Sequence, residues 1–413
     1  MGDFSGTVDF DPSASTANLV YAGASDIFLA KYDAAGNYLW AKRLGGSFTE
    51  AGQSVAIDGS GNVVVTGFFY GTADFDPSAS TANLVPSGSS GNSDIFLAKY
   101  DASGNYLWAI NMGGSSGDKG YSVAIDVSGN ALVTGYFVGT VDFDPSATTA
   151  NLVSSGSADI FLAKYDAAGN YLWAINMGGN SSDVSNSVAA DASGNAVVTG
   201  RFQGTADFDP SASMANLVSA GASDIFLAKY DASGNYLWAH SMGGSSTDIG
   251  QSVAIDGSGN AFVTGYFGGT VDFDPSANTA NLVSAGNADI FLAKYDGSGN
   301  YLTAINMGGS SFDIGYSVAI DGSGNAVVTG YFNGTADFDP SPTTANLVSA
   351  GQYDIFLASY TNAMLVTPCR DTVYVNDNST AGECVHQCHW QRCQPGHSQC
   401  PACHYQQSPV HSL

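Results

Sequence analysis

Residues 159–165 read Asp-Ile-Phe-Leu-Ala-Lys-Tyr, and residues 170–177 read Asn-Tyr-Leu-Trp-Ala-Ile-Asn-Met. In an extended chain successive side chains point to opposite faces. Ile160 and Leu162 therefore point one way while Phe161 and Tyr165 point the other, so this strand is apolar on both faces. A sheet built from it has no face fit for water and needs a neighbour on each side. The link Asp166-Ala167-Ala168-Gly169 ends in the residue that most readily supplies the positive φ of a tight turn, so the two runs read as a hairpin.

Just upstream, Ser122 to Asp126 and Asn130 to Phe137 are two further β-rich runs joined by Val127-Ser128-Gly129, a second hairpin. Four strands make one small sheet. Between the hairpins, residues 139–158 are rich in Ser, Ala and Asn and are expected to add a short fifth strand or a surface loop. The Ser-Val-Ala-Ile-Asp run has the smallest side chains, as an innermost strand near a crowded axis requires.

This unit repeats. Gly-Thr-[Val/Ala]-Asp-Phe-Asp-Pro begins at Gly6, Gly71, Gly139, Gly204, Gly269 and Gly334, and Asp-Ile-Phe-Leu-Ala follows at Asp26, Asp94, Asp159, Asp224, Asp289 and Asp354. Ser-Val-Ala recurs at Ser54, Ser122, Ser187, Ser252 and Ser317, so the period is 65 residues apart from one interval of 68. A fixed period of this length, with four strands per unit and two apolar faces per sheet, predicts an all-β propeller of six visible units. A stacked β-solenoid is the rival, but its coils usually run to about 20–30 residues.

The recurrent string Ser-Val-Ala-Ile-Asp-x-Ser-Gly-Asn, followed by Gly-Thr-x-Asp-Phe-Asp-Pro and Asp-Ile-Phe-Leu-Ala-Lys-Tyr-Asp-x-x-Gly-Asn-Tyr-Leu-Trp-Ala, closely resembles the bacterial beta-propeller repeat family SBBP. The resemblance runs from about residue 2 to residue 360. It implies an exported or cell-surface bacterial protein with no catalytic residues to carry over. The family takes its name from a seven-bladed ring, whereas six units are visible here, so an incomplete or fragmentary ring is expected.

The organisation predicted is repeats over 1–366, a linker or lead-in strand over 367–383, and a Cys/His-rich tail over 384–413. Alignment places Met1 opposite Thr134, so the chain is expected to begin inside a strand with its first unit short of the innermost one. A gene fragment or mis-called start would look like this, with any signal peptide upstream. In the tail, all six Cys lie at or after Cys369 and five of the six His at or after His386. Cys384, Cys388, Cys400 and Cys403 have the ligand chemistry of a zinc site, and in an exported protein they could instead form disulfides. A third reading is translation out of frame: shifted by one base, degenerate codons turn the tail into a string with the composition of the rest of the chain. That reading expects no compact fold there.

Charge narrows function. The chain carries 37 acidic residues, all Asp except Glu50 and Glu383, against 11 basic ones, a net charge of −26. Such a surface repels phosphate, which argues against nucleic acid and anionic membranes as partners. No run of about 18 apolar residues exists to span a bilayer. Paired carboxylates two residues apart share a strand face and could hold calcium through oxygen ligands; the pairs are Asp9 and Asp11, Asp74 and Asp76, Asp142 and Asp144, Asp207 and Asp209, Asp272 and Asp274, and Asp337 and Asp339. Asp ahead of Pro equally serves turn chemistry, bonding the backbone two residues on. Every candidate acid recurs in nearly every unit, whereas an active site needs a few unlike groups converging once. The expectation is a non-catalytic extracellular module for adhesion, binding or spacing, with a protein or polysaccharide ligand and no obligate cofactor. The alternative is an accessory propeller of a polysaccharide-active enzyme. Trp40, Trp108, Trp173 and Trp238 are expected to pack between sheets, His240 to be an outer-strand substitution, and Lys31, Lys99, Lys164, Lys229 and Lys294 to be solvated or paired with nearby Asp.

Overall fold

The computed structural model describes residues 1–89 and 91–361, together with the strand Val373–Tyr374. The described residues form strands, turns and no helix. The plan of one unit is clearest in the third sheet, where Lys119–Ile125, Ala131–Phe137, Asp159–Tyr165 and Tyr171–Gly179 pair antiparallel in that order. Both expected hairpins form. The first strand starts earlier than Ser122 because a register shift between Gly120 and Ser122 lets Lys119 and Gly120 continue the ladder against Tyr136 and Gly135. Thr134 Oγ1 donates to the Phe161 carbonyl at 2.6 Å, an added tie between the middle strands.

The alternation read from Asp-Ile-Phe-Leu-Ala-Lys-Tyr sets the packing. Ile160 and Leu162 pack with Val188, Val198, Phe202, Phe226 and Tyr230 of the following sheet, whereas Phe161 and Tyr165 pack with Ile95, Leu97 and Met112 of the preceding one. All four side chains of the strand are 0% exposed, and burying each contributes about 1.5–3 kcal/mol. The same apolar layer separates every pair of consecutive sheets from the first to the sixth. Neighbouring innermost strands meet far more extensively than neighbouring outer strands do, so the sheets fan outward as in a propeller. Small side chains serve at the crowded end: Val188 N donates to Ser122 Oγ at 3.2 Å and Val253 N to Ser187 Oγ at 3.1 Å, stitching one innermost strand to the next.

Residues 139–158 become a short hairpin of Thr140–Asp142 and Asn151–Val153. It does not extend its own sheet. It pairs with the outer strand of the preceding sheet, Gly113 opposite Asp142 and Gly114 opposite Val141, and so forms a strap across the junction.

The two terminal sheets differ from this plan. The first has three strands, Gly2–Phe4, Asp26–Tyr32 and Tyr38–Gly46, and lacks an innermost one, as the alignment of Met1 predicts. The sixth consists of Ile314–Ile320, Ala326–Phe332, Asp354–Tyr360 and Val373–Tyr374. Val373–Tyr374 pairs with the third strand of the sixth sheet, Tyr374 opposite Leu357. Ile355 in the sixth sheet is 62% exposed, where its equivalent Ile160 is fully buried. No closed ring is present among the described residues. The rest of the linker and the tail with Cys384, Cys388, Cys400 and Cys403 lie outside the described residues.

Candidate functional site

The twelve aspartates of the Asp-Phe-Asp-Pro runs sit on the straps. Asp142 Oδ1 accepts from the backbone N–H of Asp144 at 3.0 Å and of Ala150 at 2.8 Å, and Asp144 Oδ1 accepts from Ser146 N at 2.9 Å. The same bonds recur at Asp9 and Asp11, Asp74 and Asp76, Asp207 and Asp209, Asp272 and Asp274, and Asp337 and Asp339. Each pair closes the turn around its proline. Backbone N–H groups of Ala17 and Asp11 hold the Asp9 carboxyl below the ordinary range, and the Thr148 hydroxyl does the same for Asp144. Between the two acids Phe143 is buried, and its carbonyl accepts from the Tyr165 hydroxyl at 2.7 Å. Among the described residues no group of three or more His, Cys, Asp or Glu side chains converges.

The Asp-x-Ser-Gly-Asn turns work differently from the straps. Asp126 Oδ1 accepts from Ser128 N and Asn130 N, and Oδ2 accepts from the Asn130 amide. The same Oδ2 lies 2.8 Å from Lys164 Nζ, and Lys164 also donates to the Ala232 carbonyl in the next sheet. Equivalent pairs are Lys99–Asp58, Lys229–Asp191 and Lys294–Asp256. These lysines are 4–6% exposed, so the solvated alternative does not hold. They are buried cations that tie the innermost strand's turn to the neighbouring sheet. Burial pushes the Asp58 carboxyl up, but the Asn62 amide, the Lys99 ammonium and two turn N–H groups outweigh it and hold the group at about 2.

The tryptophans pack between sheets as expected. Trp108 Nε1 donates to the Ala167 carbonyl, and the indole lies under Gly169 in the next unit's turn. His240 occupies the outer strand Tyr236–Met242 and stacks on Trp238 at 5.0 Å, where burial lowers its pKa.

Two features went unrecognised in the sequence. The first is a set of fully buried acids: Asp94, Asp159, Asp224 and Asp289, each 0–2% exposed, facing Asp118, Asp183, Asp248 and Asp313, each 0% exposed. Burial pushes Asp118 up to about 7 against the Val138 and Gly114 N–H groups, with the charge of Asp94 adding to the rise. Its only sequence signal is an acid recurring four residues before each Ser-Val-Ala. The second is the outer rim. Only Gly178 and Gly179 at the end of Tyr171–Gly179 pair outward, so among the described residues the remainder of that outer strand presents an open edge. Leu107, Leu172, Leu237 and Leu302 stand exposed on equivalent strands, and Val153, Val218, Val283 and Val348 stand exposed on the straps.

The sequence itself resembles that of known repeat proteins. The profile of the Beta-propeller repeat family (SBBP) matches residues 238–266. An uncharacterized WD repeat-containing protein of Acanthamoeba polyphaga mimivirus is 28% identical across 79% of this chain, and the regulatory protein FlaEY of Caulobacter vibrioides is 28% identical across 41% of it. The chain spans 28% and 18% of the lengths of these two relatives. A protein of unknown function from Bacteroides caccae, known from its crystal structure, aligns with 68% of this chain at 10% identity and a TM-score of 0.31, covering 86% of its own length. No helix among the described residues is long and apolar enough to cross a membrane. Fanned four-stranded sheets, and a profile match that runs from the outer strand of the fourth sheet through the first two strands of the fifth, describe a β-propeller-type repeat protein.

Proposed function

We propose that the chain is a non-catalytic interaction module, exported to the bacterial surface, that docks partner polypeptides on its outer rim. The observation that carries this reading is the rim itself, with open strand edges and exposed Leu and Val recurring in register from sheet to sheet. An open edge offers unpaired N–H and C=O groups to an extended segment, and flanking apolar side chains add area. The polar groups support a non-catalytic role, because each recurs with the same structural partners in successive units instead of converging once. The repeat organisation shared with a WD repeat-containing relative is in keeping with this. Export rests on the resemblance to surface repeat proteins and on the acidic, lysine-poor composition.

The experiment is surface display on a non-adherent bacterium, with attachment scored on protein-coated and polysaccharide-coated wells. Attachment to protein is expected, and replacing Leu107, Leu172 and Leu237 by Lys should abolish it while leaving the melting temperature unchanged. Turnover of a polysaccharide by the purified chain, or attachment indifferent to the three substitutions, would refute the reading.

A further inference from the structure

At each junction between consecutive sheets two carboxylates are sealed from water. Asp289 opens a third strand, and Asp313 lies in the link from the same sheet's outer strand to the next innermost strand. Asp313 Oδ1 accepts from Asn333 N and Oδ2 from Gly309 N, while Asp289 Oδ2 accepts from Ala285 N. Asp289 Oδ1 has no hydrogen-bond partner, and the same is true of Oδ1 in Asp94, Asp159 and Asp224. Both acids face one small space. A Cβ placed on Gly308 would stand 2.9 Å from Asp289 Oδ1 and 3.0 Å from Asp313 Oδ2, and one placed on Gly113 would collide with the carboxylate of Asp94. The two carboxylates thus pack against a glycine at a place where no side chain would fit.

Two carboxylates taken out of water together are costly unless something neutralises them. The first junction shows a solution. There the acids are Asp26 and Glu50, both 0% exposed, and Arg43 Nη1 lies 2.7 Å from Asp26 Oδ2. The residues at the Arg43 position in the following four units are Asn111, Asn176, Ser241 and Asn306, all uncharged. A carboxylate oxygen without a hydrogen-bond partner is common to all five junctions, Asp26 Oδ1 and Glu50 Oε1 included; what the other four lack is the built-in cation, whose place a neutral side chain takes.

We propose that the pairs Asp94/Asp118, Asp159/Asp183, Asp224/Asp248 and Asp289/Asp313 each bind one hard divalent cation of the calcium class, the counterpart of the Arg43 guanidinium. Two opposed carboxylates match a double charge. An all-oxygen donor set suits calcium and not zinc, and a site shut off from water disfavours magnesium, which gives up its hydration reluctantly. The remaining coordination falls to backbone carbonyl oxygens. The cation would sit where one sheet hands over to the next, clear of the straps.

The test is equilibrium dialysis of chelator-stripped protein against radioactive calcium at fixed ionic strength, with melts in matched CaCl₂, MgCl₂ and NaCl. Wild type should take up four ions per chain, one for each pair, and its melting temperature should rise in CaCl₂ well beyond the NaCl control, as linkage requires of a ligand held by the folded state alone. Asn111→Arg copies the first junction, so it should fold, bind three ions and show a smaller calcium shift. Asp142→Asn, on a strap, should leave the stoichiometry at four. The proposal is overturned if no calcium is retained above the NaCl control, if Asn111→Arg leaves four sites intact, or if Asp142→Asn removes one. A melting temperature that answers to pH but not to calcium would show that a shared proton, not a metal, neutralises the pairs.

Discussion

The third and sixth sheets carry nearly the same strand, Asp-Ile-Phe-Leu-Ala-Lys-Tyr at 159–165 and Asp-Ile-Phe-Leu-Ala-Ser-Tyr at 354–360. In the third, Ile160 and Leu162 are fully buried; in the sixth, Ile355 and Leu357 are 62% and 44% exposed. Local sequence makes the strand in both places, and the neighbouring sheet alone decides whether its second face contributes to stability. The buried lysine follows the same logic. Lys164 meets Asp126 from its own sheet's innermost strand, while Lys31, in the sheet that lacks that strand, donates to the Ala102 carbonyl. Stability in this chain is therefore a sum over junctions, as expected for a repeat array.

The largest contrast should come from the buried cation. Lys164→Met leaves the Asp126 carboxylate buried without its partner, which typically costs about 3–5 kcal/mol. Lys31→Met removes a bond at a partly open site and should cost below about 1 kcal/mol. Urea melts of the two variants measure the difference. Equal losses would mean that the ammonium contributes through its methylene stem, not through its charge.

Truncating a core leucine comes next. Leu162→Ala opens a cavity between two sheets and should cost about 2–5 kcal/mol, whereas Leu357→Ala, on the uncovered face, should cost a fraction of that. Comparable values would mean that the sixth sheet's outer face is covered in solution.

These two pairs also mark what the sequence could reveal. Apolar alternation in residues 159–165 carried the sheet, its two neighbours and the fan, because period-2 burial is a local property. The glycine-ended turns carried the hairpins. Burial of Lys164 and of the Asp94/Asp118 pair was not legible, since a polar side chain is buried only when partners arrive from elsewhere in the chain. For Asp118 they are the N–H groups of Gly114 and of Val138, twenty residues on. The strap was half legible: its acids read correctly as turn residues, but nothing in residues 139–158 says that the hairpin leaves its own sheet for the preceding one.

The buried acids make the junctions sensitive to pH. Burial pushes Glu50 and Asp118 up to about 7, and Asp183, Asp248 and Asp289 up to about 6. Such groups bind protons more tightly in the folded chain than in the unfolded one. Their contribution is therefore full below the unfolded values, 3.8 for Asp and 4.5 for Glu, and is lost as pH rises through 6 and 7. Asp58, held at about 2, acts the other way and stabilises above 3.8, losing its effect as pH falls towards 2. Chelator-treated protein should then melt highest near about pH 4–5 and lower by pH 7. A profile that rises steadily from acid to neutral pH would contradict the raised values.

The smallest expected effect separates two turns of equal shape. Gly36, in the first sheet, has φ +82° and open space within 4 Å of where a Cβ would stand, whereas Gly169 has φ +85° and its Cβ would stand 3.0 Å from Trp108 Cδ2. Alanine at either position pays the steric cost of the left-handed region, about 1 kcal/mol. At Gly169 the methyl must also displace an indole held by its bond to the Ala167 carbonyl, while the first sheet's turn has no preceding tryptophan against it. Gly36→Ala should therefore cost about 1 kcal/mol and Gly169→Ala about 2 kcal/mol, read from urea melts, with indole fluorescence shifting in the second variant alone. If the two losses match and the fluorescence stays fixed, the tryptophan is not part of the junction, and the outer ends of adjacent sheets are joined by the strap and the lysine bridge without it.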